Sequence, residues 1–92
     1  MNLARIFAEK TCPVCGYQLQ FQPWSGDVIE RSCPCCGIFF GIDDSNKNTR
    51  EVIYRIRRLR WIAFRKRWLG YTPQPADYDP DEQLARLEEL EK

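Results

Sequence analysis

Residues 12–37 read CPVCGYQLQFQPWSGDVIERSCPCCG, and this stretch decides the fold. It holds two copies of the pattern C-P-x-C-G, here called the first knuckle (residues 12–16) and the second knuckle (residues 33–37). Two residues separate the cysteines of each knuckle, so a tight turn can aim both sulfurs at one ion, and the glycine permits the backbone turn that follows. Four soft sulfur ligands in a tetrahedron suit Zn²⁺. The spacing therefore predicts a zinc site whose ligands are Cys12, Cys15, Cys33 and Cys36.

The fifth cysteine, Cys35, is surplus to a four-ligand site. When the knuckles are aligned by their glycines, Cys35 occupies the position of Val14, which points away from the metal in this pattern. The favoured interpretation is a small residue at the tip of the second knuckle. A redox-reactive thiol, with a pKa lowered by nearby Arg31, stays open as the alternative.

Length and composition indicate one small domain, residues 1–92, that needs a metal ion or disulfides to stabilise it. A chain of 92 residues buries only about 60–65% of its unfolded surface, and small folds usually add a metal or disulfides. The sequence has no apolar run long enough for a transmembrane helix, and residues 1–10 lack the features of a secretory signal. We therefore expect a cytoplasmic protein with no membrane partner. Because disulfides are rare in the cytoplasm, five cysteines favour metal binding.

Alternating residues predict a small antiparallel sheet within a zinc ribbon that spans residues 1–44. Residues 17–22 alternate between apolar side chains and glutamines, a period of two that is typical of a half-buried strand. The Ser-Gly-Asp sequence at residues 25–27 predicts a turn. Residues 28–29 then suit a short return strand, and residues 38–42 a third strand.

Two helices follow the ribbon, which makes the predicted fold α+β. Thr49 is a good N-cap for a long basic and aromatic helix over residues 49–70. Residues 71–78 contain two prolines and predict an extended connector. Asp79 and the proline after it predict the start of a short acidic C-terminal helix over residues 79–91.

The long helix is amphipathic only in part. On a helical wheel an aliphatic stripe and an aromatic stripe lie side by side, and several arginines fall within or between them. The aliphatic stripe contains Val52, Ile56, Leu59 and Ala63. The aromatic stripe contains Ile53, Tyr54, Trp61, Phe64 and Trp68. Residues 50–70 hold eight basic residues and one acidic residue, whereas residues 71–92 hold seven acidic and two basic residues.

The sequence lacks the side chains of a catalytic site. It contains no histidine, the commonest general base, and no nucleophile motif or Gly-rich phosphate loop. Asp43 and Asp44 could form a paired-carboxylate site, but a solvated loop, or charges that face the arginines of the next helix, is the favoured interpretation. A site closed by four cysteines leaves no position for water or substrate. We therefore expect no enzyme activity.

Both knuckles resemble those of rubredoxins and zinc-ribbon proteins, on CPVCGY at residues 12–17 and CPCCG at residues 33–37. The rubredoxin resemblance implies iron, but the loop between the knuckles is shorter here and most of the chain lies outside the ribbon, so iron is the alternative to zinc. The stretches CPVCGYQLQFQPWSGD, CPCCGIFFGIDD, the Trp-rich helix and YDPDEQL together resemble a group of small bacterial CPCC-type cysteine-rich proteins. That resemblance covers most of the chain and implies the fold and the metal. Proteins of this size and type can serve as immunity proteins beside secreted bacterial toxins.

The first function that fits these features is a zinc-stabilised, non-catalytic protein-interaction module, such as an immunity-type inhibitor of a bacterial toxin. Trp, Tyr and Arg are enriched at binding hot spots, and an inhibitor of a nuclease would present acidic residues to a basic cleft. The candidate contact residues are Tyr54, Arg58, Trp61, Arg65, Trp68, Asp77, Asp79, Asp81, Glu82, Glu88 and Glu89. For most of the aromatic residues, packing against the ribbon as core is the favoured alternative.

The second function is a nucleic-acid-binding zinc ribbon. Arginines of the long helix would contact phosphates, and exposed Trp or Tyr would stack on bases. Internal pairing of these arginines with acidic residues of the last helix is the favoured interpretation of the same charges. A third function, one-electron transfer by a rubredoxin-like iron site, is distinguished by colour, because oxidised iron–thiolate protein is red.

Overall fold

The computed structural model describes residues 1–24, 31–70 and 72–92, and the elements in these ranges make an α+β fold. In chain order they are α1 (Leu3–Ala8), β1 (Arg31–Ser32), β2 (Phe39–Phe40), α2 (Arg50–Ala63) and α3 (Pro80–Leu90). The predicted α+β class is therefore confirmed, with a two-stranded antiparallel sheet and two late helices. The turn predicted at residues 25–27, the return strand at residues 28–29 and residue 71 of the connector lie outside the described ranges. Within those ranges no helix has the length and apolar character needed to cross a membrane.

The glycine of each knuckle closes a tight turn. The N–H of Gly16 donates to the carbonyl of Cys12, and the N–H of Gly37 donates to the carbonyl of Cys33, each at 2.9 Å. Both glycines have positive φ, 81° and 79°, a conformation that glycine adopts without steric cost. Each glycine therefore permits the turn of its knuckle, as the sequence predicts.

Short antiparallel pairs flank both knuckles and are shorter than the predicted strands. Around the second knuckle, Ser32 lies opposite Phe39. Around the first, an isolated bridge joins Thr11 to Gln18. The strand predicted at residues 17–22 is reduced to this bridge because the residues before Thr11 belong to α1 and the turn that ends it. The strand predicted at residues 38–42 ends early because the backbone turns back on Phe39, whose carbonyl accepts from the N–H groups of the third and fourth residues after it.

α1 packs residues 3–8 against the core. The spacing of the apolar residues in this segment is compatible with either a helix or a strand. The side chain of Asn2 accepts from the N–H of Arg5 at 3.3 Å and caps the helix. Ile6 is fully buried. Lys10 leaves the helix with a positive φ of 51°, which directs the chain into the first knuckle.

α2 is shorter than the helix predicted over residues 49–70, and this boundary was wrong. The helix ends at Ala63, and Arg65 and Lys66 follow with φ angles of 64° and 55°. The N–H of Lys66 donates to the carbonyl of Trp61 at 2.9 Å, a bond that closes the helix end as in a Schellman motif. Thr49 precedes the helix as predicted, although its side chain makes no capping hydrogen bond.

α3 begins as the sequence predicts. The carboxylate of Asp79 accepts from the N–H of Glu82 at 3.1 Å, and Pro80 is the first helical residue. Leu87 is fully buried, and the helix ends at Leu90. The C-terminal helix therefore docks on the core through its leucine face.

α2 buries aromatic rings and leaves its aliphatic stripe exposed. Tyr54 and Trp61 are 0% and 1% exposed, which confirms the core interpretation for these two residues. Val52, Ile56 and Leu59 lie on the opposite face and are 55%, 55% and 69% exposed. The apolar residues of this helix therefore divide between the core and the surface.

Asp44 joins the loop after the second knuckle to α2. Its side chain is buried and accepts from the N–H of Gly41 at 2.7 Å, from the indole N–H of Trp24 at 3.0 Å and from the hydroxyl of Tyr54. These donors replace the water that a buried carboxylate loses. The expectation of a solvated loop was therefore wrong for Asp44.

Several basic residues of residues 50–70 are paired internally, as the favoured interpretation of their charges predicts. Within the described ranges, ion pairs join Arg55 to Glu51 at 3.0 Å, Arg57 to Asp43 at 3.6 Å, Arg58 to Glu91 at 2.9 Å and Lys66 to Asp81 at 2.7 Å. Two of the four acidic partners lie in the predicted acidic helix. These pairs reduce the basic charge that is available to a partner.

Candidate metal centre

Four cysteine sulfurs meet inside the protein, those of Cys12, Cys15, Cys33 and Cys36. All four lie within 4.8 Å of one another. The Sγ atoms of Cys12 and Cys36 are 3.7 Å apart, as are those of Cys15 and Cys33. Zn–S bonds of about 2.3 Å in a tetrahedron place the sulfurs about 3.8 Å apart, whereas a disulfide needs about 2.05 Å. The cluster therefore fits one four-coordinate metal ion, and its cysteines are free of disulfides.

Each knuckle supplies two of the four sulfurs from a similar backbone turn. The N–H of Cys12 donates to the carbonyl of Tyr17 at 3.0 Å, and the N–H of Cys33 donates to the carbonyl of Ile38 at 2.9 Å. These bonds cross the base of each knuckle and hold the first cysteine in place. The cluster therefore lies between two matched turns, as the repeated C-P-x-C-G pattern predicts.

The four thiols are buried, and burial favours the neutral form of two of them. Cys36, the most exposed of them, is only 8% exposed. Burial raises the pKa of the Cys15 and Cys33 thiols, because the apolar surroundings disfavour a thiolate. A bound divalent ion reverses this preference, since cysteines ligate metals in deprotonated form. Four sulfurs complete a tetrahedron, so the arrangement can hold an ion and offers no open coordination position.

Side chains from α2 and α3 fix the outside of the first knuckle. Arg58 donates to the carbonyls of Pro13 at 2.9 Å and of Val14 at 3.2 Å. Gln83 donates to the carbonyl of Cys15 at 3.3 Å. These bonds hold the turn that presents two of the sulfurs, so the helices and the cluster form one structural unit.

Arg86 completes this contact and, with Gln83, was missed by the sequence analysis. Its guanidinium donates to the carbonyl of Gly16 at 2.6 Å and to the side chain of Gln18 at 2.7 Å. The spacing of three residues does place Gln83 and Arg86 on one face of a helix. Nothing in the sequence identifies the first knuckle, almost 70 residues away, as the surface that this face contacts.

Cys35 lies outside the group of four and is enclosed by other elements. Its side chain is fully buried, with Sγ 3.4 Å from the hydroxyl of Tyr78 and 3.8 Å from the side-chain nitrogen of Gln83. Arg31, the residue that the redox-reactive alternative places near Cys35, has its guanidinium over the ring of Phe21, 5.6 Å from the ring centroid. This environment supports the favoured interpretation of Cys35 as a packing residue, because a buried thiol is shielded from reagents.

Two of the predicted contact residues are inside the protein, and that part of the prediction was wrong. Tyr54 and Trp61 are buried, because large aromatic rings supply most of the apolar surface that so small a core can use. Trp68 is half-buried between the rings of Tyr17 and Tyr78, at centroid distances of 5.2 and 5.4 Å. These rings stabilise the fold and leave little aromatic surface for a partner.

Some of the charged candidates contact other described residues through their side chains. Arg58 is held by Glu91 and by the first knuckle, and Asp79 caps α3, so neither side chain is free for a partner. Asp81 pairs with Lys66, and Glu89 pairs with the C-terminal lysine. The remaining candidates are exposed at the surface, namely Arg65, Asp77, Glu82 and Glu88.

Comparison with known proteins adds no assignment. No protein-family model matches the chain, and neither a curated protein nor a solved structure matches it. The assignment of the metal centre therefore rests on the geometry and burial of its four sulfurs.

Proposed function

We propose that the four-cysteine cluster binds one structural Zn²⁺ ion within a zinc ribbon, and that the protein is a non-catalytic protein-interaction module. The observation that carries the proposal is the closed, buried set of four sulfurs 3.7 Å apart in pairs. Such a set stabilises a fold and has no room for a substrate. The exposed aliphatic stripe of α2 supports an interaction role, because a small monomer gains nothing from leaving such side chains in water.

Zinc is the metal we favour, and iron is the alternative. Both accept four thiolates in a tetrahedron, so the sulfur geometry alone fits either. Zinc is colourless and does not change oxidation state, which suits a role that is purely structural. Metal analysis of the purified protein separates the two, because an iron-loaded sample absorbs visible light and a zinc-loaded sample does not.

The non-catalytic assignment is supported by the way polar groups near the core are used. Asp44 is the buried carboxylate in the described ranges, and its oxygens accept from three donors. The hydroxyl of Tyr78 donates to the carbonyl of Lys66 at 2.6 Å. These groups are committed to the fold, so they are poorly placed to act as an acid, a base or a nucleophile.

An immunity-type inhibitor of a bacterial toxin is the specific role that we propose within this class. Asp77, Glu82 and Glu88 are exposed on the connector and α3, and such carboxylates suit the basic cleft of a nuclease. Four reduced thiols in one cluster suit the reducing cytoplasm, where an inhibitor would protect the cell that makes it.

Nucleic-acid binding is the second candidate, and one observation favours it. Arg60, Arg65 and Arg67 are exposed and form no ion pair with residues 1–24, 31–70 or 72–92. Such residues could contact phosphates. It ranks second because the other arginines of residues 50–70 are engaged within the protein and because Tyr54 and Trp61 are buried, where neither ring can stack on a base.

Capture by the zinc-loaded protein tests the proposal. The tagged protein is incubated with nuclease-treated extract of its source cells, beside the same protein stripped of metal by a chelator. We expect the loaded protein alone to retain one protein in near-equal amount, and the purified pair to form a complex. The proposal fails if no protein is retained, or if labelled DNA or RNA binds instead with a steep loss of affinity between about 50 mM and about 200 mM salt.

A further inference from the structure

The aliphatic stripe of α2 is a surface that the fold exposes on a regular element. Val52, Ile56 and Leu59 recur at helical spacing and are more than half exposed, and Ala63 continues the row toward the end of the helix. The stripe lies opposite Tyr54 and Trp61, which the core holds. Because α2 is fixed by its buried face and by Arg58, the stripe is a rigid ridge about 16 Å long.

Arginines border the stripe on both sides. Arg55 lies one helical turn from Val52 and from Leu59, and Arg60 lies one turn from Ile56. Both arginines are exposed; Arg55 pairs with Glu51 at 3.0 Å, and Arg60 has no ion pair in the described ranges. α2 as a whole contains five arginines and one acidic residue. The surface is therefore an apolar ridge within a positive field.

A cavity lies on the Arg60 side of the stripe, where the exposed face of α2 meets its buried face. It has a volume of about 310 Å³ and is lined by apolar side chains that include Trp61, Phe64 and Leu69, with Arg57 and Arg60 among its walls. An apolar side chain fits such a cavity, and a carboxylate beside that side chain would meet the arginines. The combination of ridge, cavity and arginines is a surface for a segment that carries an apolar stripe with acidic residues beside it.

We propose that this face of α2 binds an amphipathic helix of another protein, one whose apolar stripe is flanked by Asp or Glu. This inference rests on the proposed function and names the surface and the partner class. Electrostatic complementarity supports it, because acidic residues on the partner meet Arg60, which forms no ion pair in the described ranges. The apolar stripe of the partner covers Ile56 and Leu59 in the manner of other helix and groove complexes.

A second copy of this chain fits the surface less well. Antiparallel pairing of two stripes about a two-fold axis, with Ile56 opposite Leu59, would place the two copies of Arg60 along one side of the interface and the two copies of Arg55 along the other. Like charges in such positions oppose association. An anionic membrane would neutralise the arginines, but it would leave the cavity beside Phe64 without an occupant.

Nuclear magnetic resonance with matched peptides tests the proposal. The probes are two synthetic helical peptides with one leucine stripe, the first flanked by Glu and the second by Lys, added to isotope-labelled zinc-loaded protein. We expect saturable shifts at Val52, Ile56 and Leu59 with the acidic peptide and none with the basic one. The double variant Ile56→Ser and Leu59→Ser should weaken binding roughly tenfold or more, because it removes the centre of the contact.

Ile42→Ser is the matched control. Ile42 is 54% exposed, almost the same as Ile56, but lies in the turn after β2. We expect this variant to bind the acidic peptide as the natural protein does. Equal weakening by the control, equal binding of both peptides, or no binding of either overturns the inference.

Two further outcomes would show that a different molecule binds this surface, and either one overturns the inference. The first is a concentration-dependent dimer in analytical ultracentrifugation that the double variant abolishes. The second is sedimentation with phosphatidylserine vesicles that exceeds binding to the acidic peptide. The captured partner separates the two proposals: if it is retained equally by the double variant, the proposed function stands and the surface named here is wrong.

Discussion

Gly16 and Gly37 hold equivalent positions in the two knuckles, with φ angles of 81° and 79°, but they have different surroundings. A Cβ atom added to Gly16 would overlap the carbonyl group of Gln83 in α3. At Gly37 no described atom lies within 4 Å of the same added atom. The two positions therefore share a backbone requirement and differ in packing.

Alanine substitution at the two glycines separates these effects. Gly37→Ala should lower the free energy of unfolding by about 1–2 kcal/mol, the cost of a left-handed conformation for a residue with a side chain. Gly16→Ala should lower it by about 3 kcal/mol or more, because α3 must also move from the first knuckle. Urea unfolding of the zinc-loaded variants measures both values. Equal losses would mean that α3 does not pack against Gly16.

Arg58 links three parts of the chain, and its removal should be costly. Its guanidinium binds Glu91 at 2.9 and 3.0 Å as well as the carbonyls of Pro13 and Val14. The side chains of Arg58 and Glu91 are only 15% and 19% exposed. Arg58→Met keeps the apolar stem but leaves a partly buried carboxylate and two carbonyls without donors, so we expect a loss of about 2–4 kcal/mol in the free energy of unfolding.

Arg55→Met is the matched control for this prediction. Arg55 lies in the same helix and pairs with Glu51 at 3.0 Å, but its side chain is 62% exposed. An exposed pair of this kind contributes under about 0.5 kcal/mol. Urea unfolding should therefore distinguish the two variants clearly. Similar losses would show that Arg58 acts as an ordinary surface arginine.

The four-cysteine cluster was the part of the structure most open to prediction from sequence. The spacing of Cys12, Cys15, Cys33 and Cys36 is local within each knuckle, and the requirement of one ion for four sulfurs joins the two knuckles without further information. The start of α3 was equally accessible, because Asp79 and Pro80 define it through contacts within one turn.

The end of α2 and the division of its faces depend on distant contacts, so the sequence could not define them. The helix stops at Ala63 where Trp61 enters the core and its indole donates to the carbonyl of Arg67 at 3.1 Å. The helical wheel showed an aliphatic and an aromatic stripe without indicating which one is buried. In the structure the rings of Tyr54 and Trp61 are buried. The burial of Asp44 could not be predicted either, because its three hydrogen-bond donors come from separate segments of the chain.

Tyr54 should make the protein less stable in alkaline solution. Burial, followed by the neighbouring carboxylate of Asp44, raises the pKa of Tyr54 well above the usual value of a tyrosine. Above pH of about 10 the unfolded chain releases this proton while the folded protein keeps it. The free energy of unfolding should therefore be fully retained below about pH 10 and fall by about 1.4 kcal/mol per pH unit above it for this residue.

Tyr54→Phe tests the alkaline prediction. The variant should be less stable near neutral pH by about 1–3 kcal/mol, because the buried carboxylate of Asp44 loses a donor. Its stability should also decline less steeply above about pH 10, since one titrating group is gone. Urea unfolding between about pH 8 and about pH 11 measures both effects. An unchanged slope would assign the alkaline loss to other groups, among them Tyr78, whose pKa burial also raises.

Removal of the metal should unfold the part of the chain that surrounds the cluster. Zinc binding to small zinc-finger peptides contributes about 10–16 kcal/mol, which can exceed the folding free energy of a domain of this size. We expect a strong chelator to abolish the native circular dichroism and added Zn²⁺ to restore it. Unchanged circular dichroism after complete removal of the metal would show that the cluster is not needed for folding.

Adjacent cysteines in the second knuckle supply the sharpest test of the ligand assignment. Cys36→Ser removes a sulfur from the group of four, so the purified protein should hold well below one zinc ion per chain and unfold at lower urea concentration. Cys35→Ser changes a residue outside that group, and the hydroxyl can keep the hydrogen bonds to Tyr78 and Gln83. This variant should retain one zinc ion per chain. Because the two substitutions are chemically identical and neighbouring, a loss of zinc in Cys35→Ser with retention in Cys36→Ser would reverse the assignment of ligand and packing residue.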